Sequence, residues 1–184
     1  MMEILTTELP GLLRLRPRIF TDDRGRFLET FNERTFRQAT GVDLPFVQDN
    51  ESRSQANVLR GLHFQLDPNA QGKLVHVAVG AVLDVCVDIR PDSPTRGRHI
   101  AVELDAELKE MLWIPPGFAH GFRALVDDTV FVYKCTAYYH PPSERTIRWD
   151  DPELGIDWGT SAPLVSSKDA AGHAFSGTWA AETR

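Results

Sequence analysis

Between about residues 57 and 140, apolar and polar positions alternate along the chain with a period of two. Within residues 73–79, valines occupy the alternate positions 75, 77 and 79, and Leu83, Val85, Val87 and Ile89 alternate with Asp84, Cys86 and Asp88. Period-two alternation is typical of strands with one buried face. We therefore predict two half-buried β-strands in these segments.

Turn-forming residues interrupt this pattern at short intervals. Gly80 separates the first two predicted strands, and prolines at positions 91 and 94 end the second. Further strands are predicted over residues 100–104, 111–114 and 129–139, the last being the longest. Turns so close together favour an antiparallel β-sandwich or barrel.

Helical signals are confined to short segments. Residues 32–39 are a candidate helix in which Asn32 caps the N-terminus and Phe36 faces inward, and a turn is predicted over residues 105–110. The segment after Pro141 is rich in Pro, Gly, Asp and Ser and is expected to form loops folded back on the barrel. No internal repeat or linker divides residues 1–184, so we predict one mainly β domain.

Composition and charge narrow the function classes. The 184 residues include 42% hydrophobic and 25% charged residues, which is ordinary for a globular protein. With a formal charge of -6, the chain has no overall positive charge that would attract nucleic acid or an anionic membrane. Any phosphate site must therefore be local. Cys86 and Cys135 lie in apolar runs and are expected to be reduced, and without a signal peptide or a long apolar segment we expect a cytoplasmic protein.

Polar residues collect at three places within the β-rich region: residues 48–50 with 60–63, Lys73, and residues 116–120. A small barrel lined in this way could hold one ligand. His63, between Leu62 and Phe64, is either a core histidine or a base on a cavity wall. Arg60 would face the opposite side of a regular strand, but Gly61 permits a bulge that turns both side chains inward.

Tyr133 and Tyr139 are six residues apart in the predicted strand over 129–139. In a continuous strand both side chains would leave the same face about 20 Å apart, because each residue advances ~3.4 Å. That distance matches an extended sugar nucleotide. Two tyrosines packed on one face are the alternative.

A metal site is not expected. His63, His76 and His120 fall in the β-rich region, and residues 115–120 fit the P-x-G-x-x-H half of the cupin signature. The other half needs a His-x-His pair, whereas His63 is followed by Phe64 and Gln65. Three facial ligands are therefore not assembled from this motif.

Taken together, these segments resemble the dTDP-4-dehydrorhamnose 3,5-epimerase family of cupin-fold sugar-nucleotide epimerases. The resemblance runs from about Phe20 to Asp169. The stretches that carry it are residues 20–29, 48–50, 58–63, 72–73, 114–122, 133–136, 138–139, 149–152 and 167–169. It implies a cupin-type antiparallel sandwich or jelly-roll barrel with a few short helices, an isomerase activity and no cofactor.

By this resemblance four residues carry the catalysis. His63 is the base that removes a proton from the sugar, and Asp169 orients it. Lys73 stabilises the enolate near the ketone oxygen, and Tyr133 returns a proton to the opposite face.

The resemblance also implies a set of substrate-binding residues and an assembly. The substrate is a dTDP-4-keto-6-deoxyhexose, Tyr139 stacks on the thymine, and family members are homodimers in which residues 1–45 contribute to the interface. Arg24 and Glu29 would then serve the partner's site. The remaining residues implied to bind substrate are Gln48, Asn50, Arg60, His120, Glu144 and Lys168.

Three alternatives stay open at this point. The first is a mono-epimerase of antibiotic deoxysugar biosynthesis, which inverts only one of the carbons beside the ketone. The second is a non-catalytic cupin that binds a sugar nucleotide, and the third is a metal-dependent cupin oxygenase. The pathway and final sugar are not fixed by the sequence.

Overall fold

The computed structural model describes residues 2–176, in which β-strand is far more common than helix. Two helices, α1 (Glu33–Thr40) and α2 (Ser167–Ala170), and a 3₁₀ turn over Pro141–Ser143 accompany the strands. The strands are β1 (Glu3–Thr6), β2 (Leu13–Arg16), β3 (Ile19–Asp22), β4 (Gly25–Leu28), β5 (Gln48–Ser54), β6 (Val58–Gln65), β7 (Lys73–Val79), β8 (Ala81–Asp88), β9 (His99–Asp105), β10 (Met111–Ile114), β11 (Phe118–Ala124), β12 (Thr129–Cys135), β13 (Glu144–Thr146) and β14 (Leu164–Val165).

Two sheets pack face to face as a cupin-type sandwich. The first has the strand order β1-β2-β10-β7-β12-β5, and the second has the order β13-β6-β11-β8-β9 with β14 added parallel to β6. Apart from β14, neighbouring strands in both sheets are antiparallel. Val75 and Val77 of the first sheet meet Val82 and Phe122 of the second in the core. The prediction of a mainly β antiparallel sandwich is confirmed.

Strand β8 is buried on both faces, so the prediction of a half-buried strand there is wrong. Asp84, Cys86 and Asp88 are fully buried. The reason is a second apolar layer: Trp158, Phe175 and other residues of the C-terminal segment pack on the outer face of the second sheet. Both faces of β8 are therefore buried. Val85 and Val87 lie beneath this outer layer, whereas Asp84 and Cys86 point between the two sheets.

The last predicted strand is shorter than its pattern suggested. β12 ends at Cys135, which pairs with the first residues of both neighbours, Lys73 of β7 and Gln48 of β5. Among residues 2–176 no strand pairs with the chain past this point, and Thr136 exchanges two hydrogen bonds with Gly72, just before β7 begins. Tyr133 and Tyr139 thus do not share one strand face.

Helix α1 confirms the helical prediction to within one residue. The Asn32 side chain accepts a hydrogen bond from the Thr35 amide, and Gly41 ends the helix with a φ of 72°. Phe36 is buried against Trp113, with ring centroids 5.5 Å apart. The predicted turn over residues 105–110 is also present, capped by the Asp105 carboxylate. In the described residues no helix is both long and apolar enough to cross a membrane.

Candidate active site

A two-lobed cavity lies between the sheets. The main lobe has a volume of about 570 Å³ and the side lobe about 290 Å³. His63, Lys73, Tyr133 and Glu144 line both lobes, so the two form one site. The other predicted residues in the main lobe are Arg60, His120, Lys168 and Asp169, and those in the side lobe are Gln48, Asn50 and Tyr139.

A bulge at Gly61 brings Arg60 and His63 into the same cavity. His63 pairs with His120 and Arg60 pairs with Phe122, so three steps along β6 match two along β11. Gly61 has a φ of +131°, and a Cβ there would lie 2.5 Å from the Gly121 Cα. Only glycine fits this approach. The bulge proposed from the sequence is confirmed.

His63 and Asp169 form a hydrogen-bonded pair. The His63 Nε2 lies 2.5 Å from the Asp169 Oδ1, and the carboxylate is nearly buried. Burial alone would raise the pKa of Asp169, but the hydrogen bonds from His63 and Ser166 hold that pKa below its ordinary value. An ionised carboxylate on one ring nitrogen fixes the imidazole tautomer and leaves the other nitrogen able to exchange a proton.

Tyr133 and Lys73 lie on the wall opposite His63. His63 belongs to β6 in the second sheet, whereas Tyr133 and Lys73 belong to β12 and β7 in the first. Burial raises the pKa of the Tyr133 hydroxyl, so it is a protonated donor at neutral pH. Burial lowers the pKa of the Lys73 amine, and its Nζ lies 3.4 Å from the His63 carbonyl oxygen.

A second histidine–carboxylate pair stands beside the first. The His120 Nε2 lies 2.9 Å from the Asp84 Oδ2, and Cys86 donates to the other Asp84 oxygen over 3.6 Å. The ligand atoms of Asp84, Cys86 and His120 lie within 4.8 Å of one another, the one such group among residues 2–176. Burial raises the pKa of Cys86 well above its ordinary value, which disfavours the thiolate that binds metals. These contacts are explained by hydrogen bonding, and His76, on the opposite face of β7 from Lys73, does not join them.

The side lobe is framed by a hydrogen-bonded chain. Gln48 accepts from the Tyr139 amide at 2.8 Å and donates to Asn50 at 2.9 Å. The Tyr139 hydroxyl donates to Glu144 over 2.7 Å, and Lys168 pairs with the other Glu144 oxygen over 2.6 Å. Tyr139 is thereby fixed at its backbone and its hydroxyl, with its exposed ring at the edge of the lobe.

Arg24 and Glu29 lie outside both lobes. Arg24 pairs with Asp22 at the tip of the β3–β4 hairpin, and Glu29 accepts a hydrogen bond from Asn32. The structure of one chain does not bring them to the cavity. Their predicted place in a partner's site stays a prediction.

The sequence interpretation missed several residues that line or support this site, of which three stand out. Phe122 and Phe131 form an apolar wall of the main lobe, stacked with centroids 4.2 Å apart. Asp84 supports His120 from behind. Phe122 could have been found because it lies two residues after His120, which puts both side chains on the same face of a strand. Asp84 could have been found because it is a carboxylate within a valine-rich segment.

A cupin-type sandwich with a histidine–carboxylate pair on one wall and a tyrosine on the other defines a class of acid–base isomerases. Residues 6–177 match the family model described as dTDP-4-dehydrorhamnose 3,5-epimerase. The chain belongs to this family. It is 54% identical over 172 residues to the dTDP-4-dehydrorhamnose 3,5-epimerase of Salmonella typhimurium, covering 93% of this chain and 94% of that one.

Solved structures of sugar-nucleotide epimerases are also similar to this chain. The crystal structure of a 3,5-epimerase from Legionella pneumophila in complex with dTDP-4-keto-L-rhamnose has a TM-score of 0.92 and 48% identity, covering 95% of this chain and 93% of that one. ChmJ, a 3'-monoepimerase from Streptomyces bikiniensis solved with dTDP-quinovose, has a TM-score of 0.90 and 36% identity, with coverages of 96% and 90%. This chain is thus more similar in sequence to these two 3,5-epimerases than to the 3'-monoepimerase.

Proposed function

We propose that this protein epimerises dTDP-4-dehydro-6-deoxyglucose to dTDP-4-dehydrorhamnose, inverting both carbons that flank the ketone. The observation that carries the proposal is the placement of His63 and Tyr133 on opposite walls of one cavity. A ligand between the sheets offers one face to each. Inversion needs a base on one face and an acid on the other, because a lone base tends to return the proton where it came from.

Each inversion is a balanced proton exchange. The ketone acidifies the neighbouring C–H, His63 takes that proton, and the electron pair moves onto the ketone oxygen as an enolate. Lys73 stabilises this oxygen electrostatically. The attraction between the amine and the oxygen is stronger in the low dielectric of the cavity than it would be in water. Tyr133 then donates its hydroxyl proton to the carbon from the opposite face as the enolate electron pair returns to that carbon and the ketone re-forms. Proton exchange with water restores the neutral imidazole and the phenol before the second inversion. Asp169 holds the His63 ring in one orientation throughout.

The side lobe is suited to the nucleotide. Tyr139 offers an aromatic face for the thymine, while Gln48 and Asn50 supply amide groups beside it. Arg60 and Lys168 place positive charge at the main lobe, where a diphosphate would meet it. A net-negative protein can therefore bind this anion through local charge. His120 completes the polar wall beside His63, and Glu144 spans both lobes.

The experiment that tests the activity is a proton NMR time course in deuterated water with dTDP-4-keto-6-deoxyglucose. We expect deuterium at both carbons beside the ketone, together with the epimerised product. The matched control is dTDP-glucose, which lacks the ketone and should exchange no ring proton. Deuterium at one carbon only, even after long incubation, would establish a mono-epimerase instead.

A homodimer also belongs to this proposal. The β3–β4 hairpin forms its own two-stranded sheet and exposes Phe20 and Phe27 at 48% and 70%. Exposed aromatic pairs are typical of interfaces. A second copy would cover this hairpin and bring Arg24 and Glu29 to a site. Sedimentation equilibrium should give twice the 20.7 kDa chain mass, and a monomer at micromolar concentration would refute the assembly.

A further inference from the structure

The inner face of β5 is polar along its whole length. Gln48, Asn50, Ser52 and Ser54 all point between the sheets, opposite the inner residues of β12. Inward positions of a sandwich are usually apolar, because they form the core. Gln48 and Asn50 are already accounted for as binding residues of the side lobe. Ser52 and Ser54 have no assigned role.

Three of these four side chains have hydrogen-bond partners within the chain. Gln48 binds Asn50 and the Tyr139 amide, and Asn50 donates to Cys135. Ser54 accepts from the Arg60 Nε over 3.2 Å, so it holds the guanidinium in place. The Ser52 hydroxyl differs: its oxygen is shielded from solvent and has no partner among residues 2–176.

An unpartnered buried hydroxyl is unfavourable, since it has lost its bonds to water and gained none in return. Native proteins keep few such groups, and those they keep call for an explanation. Ser52 lies opposite Phe131 and lines the main lobe with Tyr133 and Arg60. Rotation about its single Cα–Cβ bond moves the hydroxyl among three staggered positions without any backbone change.

We propose that Ser52 is a further substrate-binding residue whose hydroxyl gains its hydrogen bond only when the main lobe is filled. Its partner is an oxygen of the hexosyl phosphate part of the ligand. The side lobe, which holds Tyr139, is not lined by Ser52, so the nucleobase is out of reach. This inference rests on the proposed function for the identity of the ligand.

The test compares binding of two inert probes, dTDP and dTDP-glucose, by calorimetry. For Ser52→Ala we expect the Kd of dTDP-glucose to rise about 2–10-fold, the range for one neutral hydrogen bond. The Tm of the free protein should stay the same or rise, because the substitution removes an unpartnered group. The matched control is Glu51→Ala, an exposed neighbour on the outer face of the same strand, which should change neither quantity.

Each outcome decides the proposal. If Ser52→Ala raises the Kd of both probes, the contact is assigned to the phosphate. If it raises the Kd of dTDP-glucose alone, the contact is assigned to the hexose. Unchanged affinity for both probes, or a lower Tm with unchanged affinity, overturns the proposal. Because neither probe is turned over, these affinities are independent of the epimerase assay. A wild-type protein that binds dTDP-glucose but epimerises nothing would remove the proposed activity and leave the Ser52 result standing.

Discussion

His63→Asn should lower the rate of proton exchange at the sugar carbons by about 10²–10⁴-fold, the usual contribution of a general base. In the proposed mechanism the imidazole removes the proton, and the asparagine amide has no basic nitrogen to replace it. The asparagine side chain is too short to reach the position of Nε2, so the nearly buried Asp169 carboxylate loses this partner and the variant should also lose some stability. The affinity for dTDP should stay within a few-fold, because the imidazole acts on the ring carbons and not on the diphosphate.

A second histidine provides the control. His76 lies on β7 but faces away from the cavity, and His76→Asn should exchange deuterium at the wild-type rate. Exchange and dTDP affinity are measured on both variants, with circular dichroism to verify folding. Near wild-type exchange in a folded His63→Asn protein would remove His63 from the mechanism.

Tyr133→Phe should separate proton removal from inversion. His63 remains, so it can take a ring proton and return a deuteron to the same face. The acid on the other wall is lost, so the epimerised product should fall by an amount comparable to the loss of a general acid, about 10²–10⁴-fold. We expect deuterium in the recovered substrate and little product, measured together in one NMR time course.

Tyr138→Phe is the matched substitution outside the site, because Tyr138 is 69% exposed and lines neither lobe. It should behave as wild type. If Tyr133 were only a packed strand tyrosine, its phenylalanine variant would lose a little stability and keep both exchange and product. Equal losses of exchange and product would instead make Tyr133 necessary for the first proton removal.

Local pattern was enough to predict five of the fourteen strands in residues 2–176, namely β7 to β10 and β12. Alternation over residues 73–79 predicted β7, and the short apolar run over residues 111–114, which is buried on both faces, predicted β10. The bulge at Gly61 could be predicted because glycine is the residue that such a close approach admits. The polar residues of β6, β7 and β11 were candidates for a cavity from their positions alone, whereas Lys168 and Asp169 came from the family resemblance. No local rule places Asp169 beside a strand more than 100 positions earlier.

The errors share one physical cause, which is that neighbours distant in sequence decide burial and strand length. Asp84 and Cys86 were expected on a half-exposed strand, yet the C-terminal segment covers one face of that sheet and the cavity wall takes the other. β12 stops at Cys135 because its partners begin there, although the β-prone sequence continues. Neither fact is encoded within the strand itself.

The C-terminal segment both covers the second sheet and positions a residue of the site. Its apolar residues, Ile147 and Trp158 among them, bury the outer face of the second sheet, and its helix α2 carries Asp169 to the inner side of β6. The orientation proposed for His63 therefore depends on side chains that never meet a ligand. We expect a substitution that loosens the packing of Trp158 to disturb the position of the Asp169 carboxylate as well, so that loss of stability and loss of activity occur together.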